Sequence, residues 1–277
     1  MSEKRAPVFF TIAALQHEPL ANLSLYAPLI QDDLRKRGFA GPYTIKTVSA
    51  DTTGMPQGAV ADALKNAVAQ QSYTISTIDR TSAFTFNSSG VFSFHTTDYV
   101  DRATLFENFK LGLEVLHRHA QLQSIIRVGM RMLDLIRPAV GSESLEDYVK
   151  PGLLGFRSVF EPNDWTAGLS TLEHHFLDEN AEVIAKFDCL PDGFGINADL
   201  FDAISLHALP KHLTDSSRQL HAILDIDSGT RQLTSELKRK FEIEVVMTEL
   251  KQHKDRISKL FKAAVTPHAL SRWGLSQ

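Results

Sequence analysis

Two arginines near the middle of the chain have a spacing that suits the binding of an anion. Arg127 and Arg131 lie in segment 125–137, whose alternating pattern predicts a β-strand. Side chains of a strand alternate between its two faces, so both guanidinium groups fall on one face with Gly129 between them. Guanidinium groups bind carboxylate or phosphate in a bidentate manner. The alternative is that these arginines pair with acidic residues on neighbouring strands or at a subunit interface.

A pair of aspartates late in the chain has the spacing of a cation site. Asp225 and Asp227 are separated by one residue at the end of a predicted strand, so their carboxylates share a face. Such a pair can help to hold a hard cation such as Mg²⁺. The sequence fixes no third acid nearby, and Asp227-Ser228-Gly229 is also a common turn sequence. We therefore predict no metal site and keep these two aspartates as candidates.

The other reactive or aromatic side chains indicate structure rather than catalysis. Cys189, the single cysteine, lies in an apolar strand and is expected to be a buried thiol. Asp134 falls on the apolar face of its strand, which predicts a buried polar contact. Trp165 either anchors a binding partner, a role in which tryptophan is enriched, or locks a loop against the core. Phosphate-loop, dinucleotide-binding and nucleophile-elbow motifs are missing, so we predict no catalytic residue and no cofactor.

The composition is that of an ordinary globular protein. The chain has 277 residues, 43% of them hydrophobic, and a formal net charge of −4. Nucleic-acid binders usually carry a basic excess or a concentrated basic face, whereas the most basic stretch here, 231–262, interleaves acidic residues as a solvated helix does. One cysteine, a polar start and no apolar run near ~20 residues predict a cytoplasmic protein without a membrane span.

Hairpin-linked strands followed by long amphipathic helices position these residues. The predicted strands are 8–16, 43–49, 73–78, 83–86, 91–95, 124–137, 172–177, 183–190 and 220–226. The predicted helices are 25–37, 59–70, 102–119, 241–264 and a short last helix that opens at Thr266 and Pro267. Phe84, Phe86, Phe92 and Phe94 share parity across a hairpin turned at 87–90, which predicts a phenylalanine-rich core face. Because strands and helices do not alternate one for one, we predict an α+β fold with largely antiparallel sheet.

The pattern divides the chain near its middle. Residues 1–6 read as a flexible tail, 7–138 as an N-terminal α+β half and 139–277 as a C-terminal α+β half of one compact unit. Glycine, serines and glutamates at 139–146 mark the boundary. Strands followed by a long helix occur in both parts, which hints at two similar halves. Segment 191–214 mixes fragments of strand and loop, so its structure is not predicted.

Short motifs along the chain match a known pattern. They are the opening strand Pro7-Val-Phe-Phe-Thr-Ile, the central strand Ile125-Ile-Arg-Val-Gly-Met-Arg131 and the late strand Leu224-Asp-Ile-Asp227. With them, the chain resembles a sporadically distributed family of functionally uncharacterised bacterial proteins of similar length. The likeness spans nearly the whole chain and is poorest around 191–214. It implies an architecture and a bacterial or phage origin, and it carries no catalytic residue.

These observations favour a non-enzymatic binding or adaptor protein that self-associates, as a homodimer, and works with a protein partner. The sporadic distribution of the family that it resembles is compatible with a bacterial defence or toxin–antitoxin pair. The alternative is an anion- or nucleotide-binding enzyme that uses the pair Arg127 and Arg131 together with Asp225 and Asp227. Nucleic-acid binding through 231–262 is a third hypothesis.

Overall fold

The structure is a computed structural model. It describes residues 7–47, 71–138, 143–155, 169–191, 195–209, 220–231 and 239–275. Within these ranges the chain forms ten strands and six α-helices, and all the strands belong to one sheet. The prediction of an α+β fold with antiparallel sheet is therefore confirmed. The predicted tail 1–6, the predicted helix 59–70 and Trp165 lie outside the described residues.

The strands are of moderate length except for a short tenth one. They are β1 Val8–His17, β2 Tyr43–Thr47, β3 Gln71–Ser76, β4 Ser82–Asn87, β5 Val91–Thr96, β6 Ser124–Ile136, β7 Ser170–Leu177, β8 Ala181–Leu190, β9 His221–Thr230 and β10 Arg239–Lys240. The helices are α1 Leu23–Arg35, α2 Arg102–Ala120, α3 Leu145–Tyr148, α4 Phe201–Ile204, α5 Ile243–Ala264 and α6 Pro267–Trp273. None of these helices combines the length and the apolar character that a membrane crossing requires.

The strand order differs from the chain order. The sheet runs β2-β3-β4-β5-β1-β6-β9-β8-β7, and β10 pairs with β6 beside this path. The first strand of the chain is thus flanked by β5 and β6. Strands β2 and β7 stand at the two ends of the order.

One compact unit, Ile12–Val128 with Gln232–Leu250, has an aromatic core. Phe84 lies opposite Phe94, and Phe86 lies opposite Phe92, all four buried on one face as the hairpin pattern predicts. Helix α2 covers this face and begins at a cap where the side chain of Asp101 accepts a hydrogen bond from a backbone amide. The helix approaches so closely that the Cβ of any side chain replacing Gly112 would lie 2.2 Å from a Phe84 ring atom.

The other unit, Met1–Thr11 with Gly129–Arg231 and Lys251–Gln277, holds the antiparallel ladder β7-β8-β9. The carboxylate of Asp178 turns the β7-β8 hairpin by accepting hydrogen bonds from the amides of Asn180 and Ala181. The prediction that the next strand ends at Ile226 is wrong, because β9 continues to Thr230.

Two details of the helices also differ from the sequence pattern. Helix α1 begins at Leu23 rather than at residue 25 and ends at Arg35 rather than at residue 37. In segment 195–209, which had no readable pattern, a 3₁₀ turn at Ala198–Leu200 leads into α4. That segment supplies part of the site described next.

Candidate functional site

One face of the ladder β6-β9-β8-β7 carries a connected group of polar side chains. In the sheet register Arg131 lies opposite Asp227, and Lys186 lies opposite Asp225. Their residue positions share one face because each strand alternates with period two. We call the following group the Arg131 cluster: Arg131, Thr171, Lys186, Asp188, Asn197, Asp199 and Asp225.

Arg131 is held by two carboxylates. Its Nε and Nη2 donate to the two oxygens of Asp225 at 2.7 and 2.6 Å, which is bidentate geometry. Its Nη1 donates to Asp199 at 2.5 Å. The Arg131 side chain is 16% exposed and that of Asp225 is 3% exposed. Burial would lower the pKa of Arg131, but hydrogen bonds and charge from Asp225 and then Asp199 outweigh burial and raise this pKa.

Further bonds connect the pair to the neighbouring strands. The amide of Asn197 donates to Asp225 at 2.6 Å, and its oxygen accepts a hydrogen bond from the ammonium of Lys186. Lys186 also lies 3.4 Å from a carboxylate oxygen of Asp188. The hydroxyl of Thr171 donates to the other Asp188 oxygen at 2.7 Å. The cluster therefore links segment 195–209 to β6, β8 and β9, and links β8 to β7.

The formal charges show what this cluster can do. Two cations, Arg131 and Lys186, face three carboxylates, those of Asp188, Asp199 and Asp225, so the formal charge is −1. An anion would have to displace a carboxylate from Arg131 to reach it. Arg131 therefore pairs with acidic residues, which was the alternative to anion binding. Its partners are Asp225 on the neighbouring strand and Asp199 on a nearby turn.

The other predicted site residues lie on β6 or β9, or outside the described chain. Arg127 is half-buried on the same strand, and among the described residues no hydrogen bond or ion pair involves it. Asp227 is half-buried and lies opposite Arg131, inside β9 rather than at its end. Trp165 lies outside the described residues. Within those ranges no group of three or more His, Cys, Asp or Glu side chains is placed to hold a metal ion.

The opposite face of these strands contains a buried acid with a different environment. Asp134 is buried among apolar residues, and among the described residues its Oδ1 has no hydrogen-bond partner. Burial raises the pKa of Asp134 to about 7, with an opposing effect from the charge of Lys254 and a further rise from Asp225. The sequence correctly placed this residue on the apolar face.

A serine and a histidine also meet on that face. Ser228 Oγ lies 2.8 Å from His253 Nδ1, and both residues are buried. Since neither side chain is accessible to a substrate, the pair stabilises the packing of α5 rather than forming a nucleophilic site. Cys189 is buried as well, as its apolar strand predicts.

The outer strand β7 forms a second candidate region, which the sequence pattern did not identify. Among the described strands, β7 pairs only with β8 and ends the sheet order. All but one of its residues are exposed. Leu169, Phe176 and Leu177 are exposed by 67%, 47% and 60%. We call residues 169–177 the β7 edge.

Of the residues in the Arg131 cluster, sequence reasoning missed Thr171, Lys186, Asp188, Asn197 and Asp199. A usable signal existed only for Lys186 and Asp188, which share strand parity in β8. A scan against protein-family models finds no match for the chain. A search of curated proteins finds no match either.

Proposed function

We propose that this chain is a protein-binding component, an adaptor without catalytic activity, that receives a strand of another polypeptide on its β7 edge. The observation that carries this proposal is the exposure of β7 at the end of the sheet order, together with its apolar side chains. A strand at a sheet edge presents unpaired backbone N–H and C=O groups, which serve as a template for an added strand.

The composition of the β7 edge suits this mode of recognition. In β-augmentation, main-chain hydrogen bonds supply affinity and alternate side chains supply specificity. Phe176 offers apolar area on one face, while Glu173 and His175 offer charge and Leu177 offers apolar area on the alternate positions. Natural sheet edges usually carry lysine or proline that prevents such pairing, and Ser170–Leu177 contains neither.

The Arg131 cluster supports the enzyme alternative less well. Three N–H groups of Arg131 already donate to carboxylates, and the cluster as a whole has a negative formal charge. Under the alternative, nucleotides or phosphate would raise the melting temperature by mass action, and Arg131→Met would abolish the shift. Under the proposed function these compounds leave the melting temperature unchanged.

A proline placed at an outward-facing amide tests the proposal directly. His175→Pro removes an amide that points away from β8, a position where edge strands tolerate proline. His175→Ala is the matched control, because it removes the same imidazole and keeps the amide. We expect a stoichiometric partner, either an untagged copy of this chain or another protein, to co-purify with the tagged wild type and with His175→Ala, and to be lost from His175→Pro. Equal recovery of the partner with all three chains would contradict the proposal.

A further inference from the structure

We propose that the occupant of the β7 edge is the β7 edge of a second copy of this chain, paired antiparallel about a two-fold axis at His174. The inference rests on the proposed function in that both use the same edge. It adds the identity of the partner strand and the register of the pairing.

The hairpin fixes which backbone groups point outward. The amide of Asp178 donates to the carbonyl of Ala181 at 2.9 Å, so these two residues form a hydrogen-bonded pair across the hairpin. Hydrogen-bonded and non-hydrogen-bonded pairs alternate along an antiparallel ladder. The amides and carbonyls of Thr171, Glu173, His175 and Leu177 therefore point away from β8, where an added strand can bond to them.

Symmetry then limits the possible registers. In a two-fold symmetric antiparallel pair, if one residue of the first copy lies opposite a given residue of the second, the same two residues also face each other with the copies exchanged. Outward-pointing residues must face outward-pointing residues for their hydrogen bonds to form. Near the middle of β7, this leaves axes at Glu173, at His174 and at His175.

Charge selects one of these three registers. An axis at Glu173 places two carboxylates directly opposite each other, and like charges at that distance are destabilising. An axis at His175 places two imidazoles opposite each other and leaves Glu173 facing Leu177. An axis at His174 also places two imidazoles opposite each other, those of His174, but it alone sets Glu173 opposite His175 of the second copy, and it does so twice.

The same two side chains already pair within one copy. Within one copy, His175 Nε2 lies 2.8 Å from Glu173 Oε1, and its Nδ1 lies 3.5 Å from Glu182 Oε1. Hydrogen bonding to Glu173 raises the pKa of His175; burial opposes this rise, and hydrogen bonding to Glu182 adds to it. Both ring nitrogens lie near carboxylates of their own copy, so in the dimer Glu173 of the second copy takes the place of the Glu173 contact within one copy.

The same register pairs the apolar residues on the alternate face. Leu172 lies opposite Phe176 of the second copy, again twice, while Leu177, on the face of Glu173 and His175, lies opposite Thr171. Phe176 and Leu177 thereby lose the exposure that they have in a single copy. Charge complementarity on one face and apolar complementarity on the other thus select the same axis.

A charge-swap experiment tests both the partner and the register. We expect the wild type to sediment as a dimer, and Glu173→Lys and His175→Glu each to raise the dimer Kd about tenfold or more, because each change places like charges opposite each other twice. An equimolar mixture of the two variants should recover dimers with a Kd near that of the wild type. In the mixed dimer, the introduced lysine faces the introduced glutamate, and the native His175 faces the native Glu173.

Two controls accompany the swap. Glu107→Lys makes the same charge change on an exposed helical position and should leave the Kd unchanged. Thermal unfolding by circular dichroism should show that Glu173→Lys and His175→Glu stay folded, since both side chains are about half exposed.

The outcomes separate this inference from the proposed function. A monomeric wild type that still binds a different protein in a manner sensitive to His175→Pro would overturn the second-copy pairing and leave the proposed function in place. Failure of the mixed variants to recover dimers would overturn the register. A dimer indifferent to His175→Pro and to both charge changes would overturn both the pairing and the use of the β7 edge.

Discussion

The Arg131 cluster and the β7 edge share strand β7 and the residue Thr171, yet they differ in how completely their polar groups are hydrogen-bonded. In the cluster, every named side chain has a polar partner within hydrogen-bond or ion-pair distance. Along the β7 edge, an outward row of backbone groups has no described strand beside it. The charged side chains of the cluster thus stabilise the fold by pairing with each other, while the outward backbone groups of β7 remain able to accept and donate hydrogen bonds to an added strand.

This contrast shows why chemically suggestive residues are a poor guide to the interacting surface here. A buried polar group is costly unless it is paired, so strongly charged residues on a partly covered face tend to find internal partners. Backbone groups at a sheet edge cannot be recognised from the amino-acid types, although they can bind a partner as charged side chains do. The following variants test how far the contrast holds.

The largest effect on the free energy of unfolding is expected from breaking the ion pair between Arg131 and Asp225. Arg131→Met should lower the free energy of unfolding by about 3–5 kcal/mol, because it leaves the buried Asp225 carboxylate without its counter-ion. Arg127→Met is the matched control and should change it by no more than about 0.5 kcal/mol. Urea denaturation at neutral pH measures both. Equal effects of the two variants would show that the cluster does not stabilise the fold.

The unpaired acid on the opposite face gives a test through pH. The pKa of Asp134 is about 7 in the folded chain and about 4 when unfolded, so between these values the folded state retains a proton that the unfolded state has released. Its contribution therefore makes the free energy of unfolding fall as pH rises from about 4 to about 7, by about 1.4 kcal/mol per pH unit. Asp134→Asn removes this contribution, so the difference in free energy of unfolding between wild type and variant should fall with this slope as pH rises from about 4 to about 7. Parallel curves for wild type and variant would contradict the assignment.

A smaller loss of stability is expected from removing the hydrogen bonds that connect segment 195–209 to the Arg131 cluster. Asn197→Ala removes the donor to Asp225 and the acceptor for Lys186, which should cost about 1.5 kcal/mol. Asn180→Ala, at an exposed turn position, is the control and should cost less than about 0.5 kcal/mol. Thermal unfolding of the two variants under identical conditions makes the comparison, and a larger loss in Asn180→Ala would refute it.

The smallest effect on folding is expected at the edge itself. Phe176→Thr should change the stability of a single copy by no more than about 0.5 kcal/mol, because its side chain is largely exposed. Phe187→Ala, on the buried side of the neighbouring strand, should cost about 3–5 kcal/mol. Both are measured at concentrations where the chain is monomeric. A large loss in Phe176→Thr would mean that the edge is covered within one copy.

Local patterns in the sequence predicted much of the fold. The parity of Phe84, Phe86, Phe92 and Phe94 fixed a core face because a four-residue turn connects their strands. The start of the last helix at Thr266 was predicted for the same reason, since the amide that its side chain caps lies three residues away. Such signals are complete within a short segment of chain.

The site depended on information that a single sequence does not carry. Asp225 lies 94 residues from Arg131, and the register that joins them is set by the whole sheet. Asn197 and Asp199 lie beside a three-residue 3₁₀ turn and a four-residue helix, which are too short to show periodicity. Gly229 favoured a turn, yet it lies between Gly129 and Glu182 in the sheet, and β9 therefore continues past Asp227. The exposure of β7 follows from strand order alone.

The position of β1 between β5 and β6 has a consequence for how the chain is made. Strand β1 leaves the ribosome first, but its neighbours begin only at Val91 and Ser124. At 5–20 residues per second, synthesis of the second neighbour follows by about 5–25 s. Until Val91–Thr96 has been made the apolar segment Val8–His17 has neither native neighbour, and it lacks β6 until translation has passed residue 136; pairing over so long a separation closes slowly. We therefore expect chaperones that hold hydrophobic segments to bind Val8–His17 during this time.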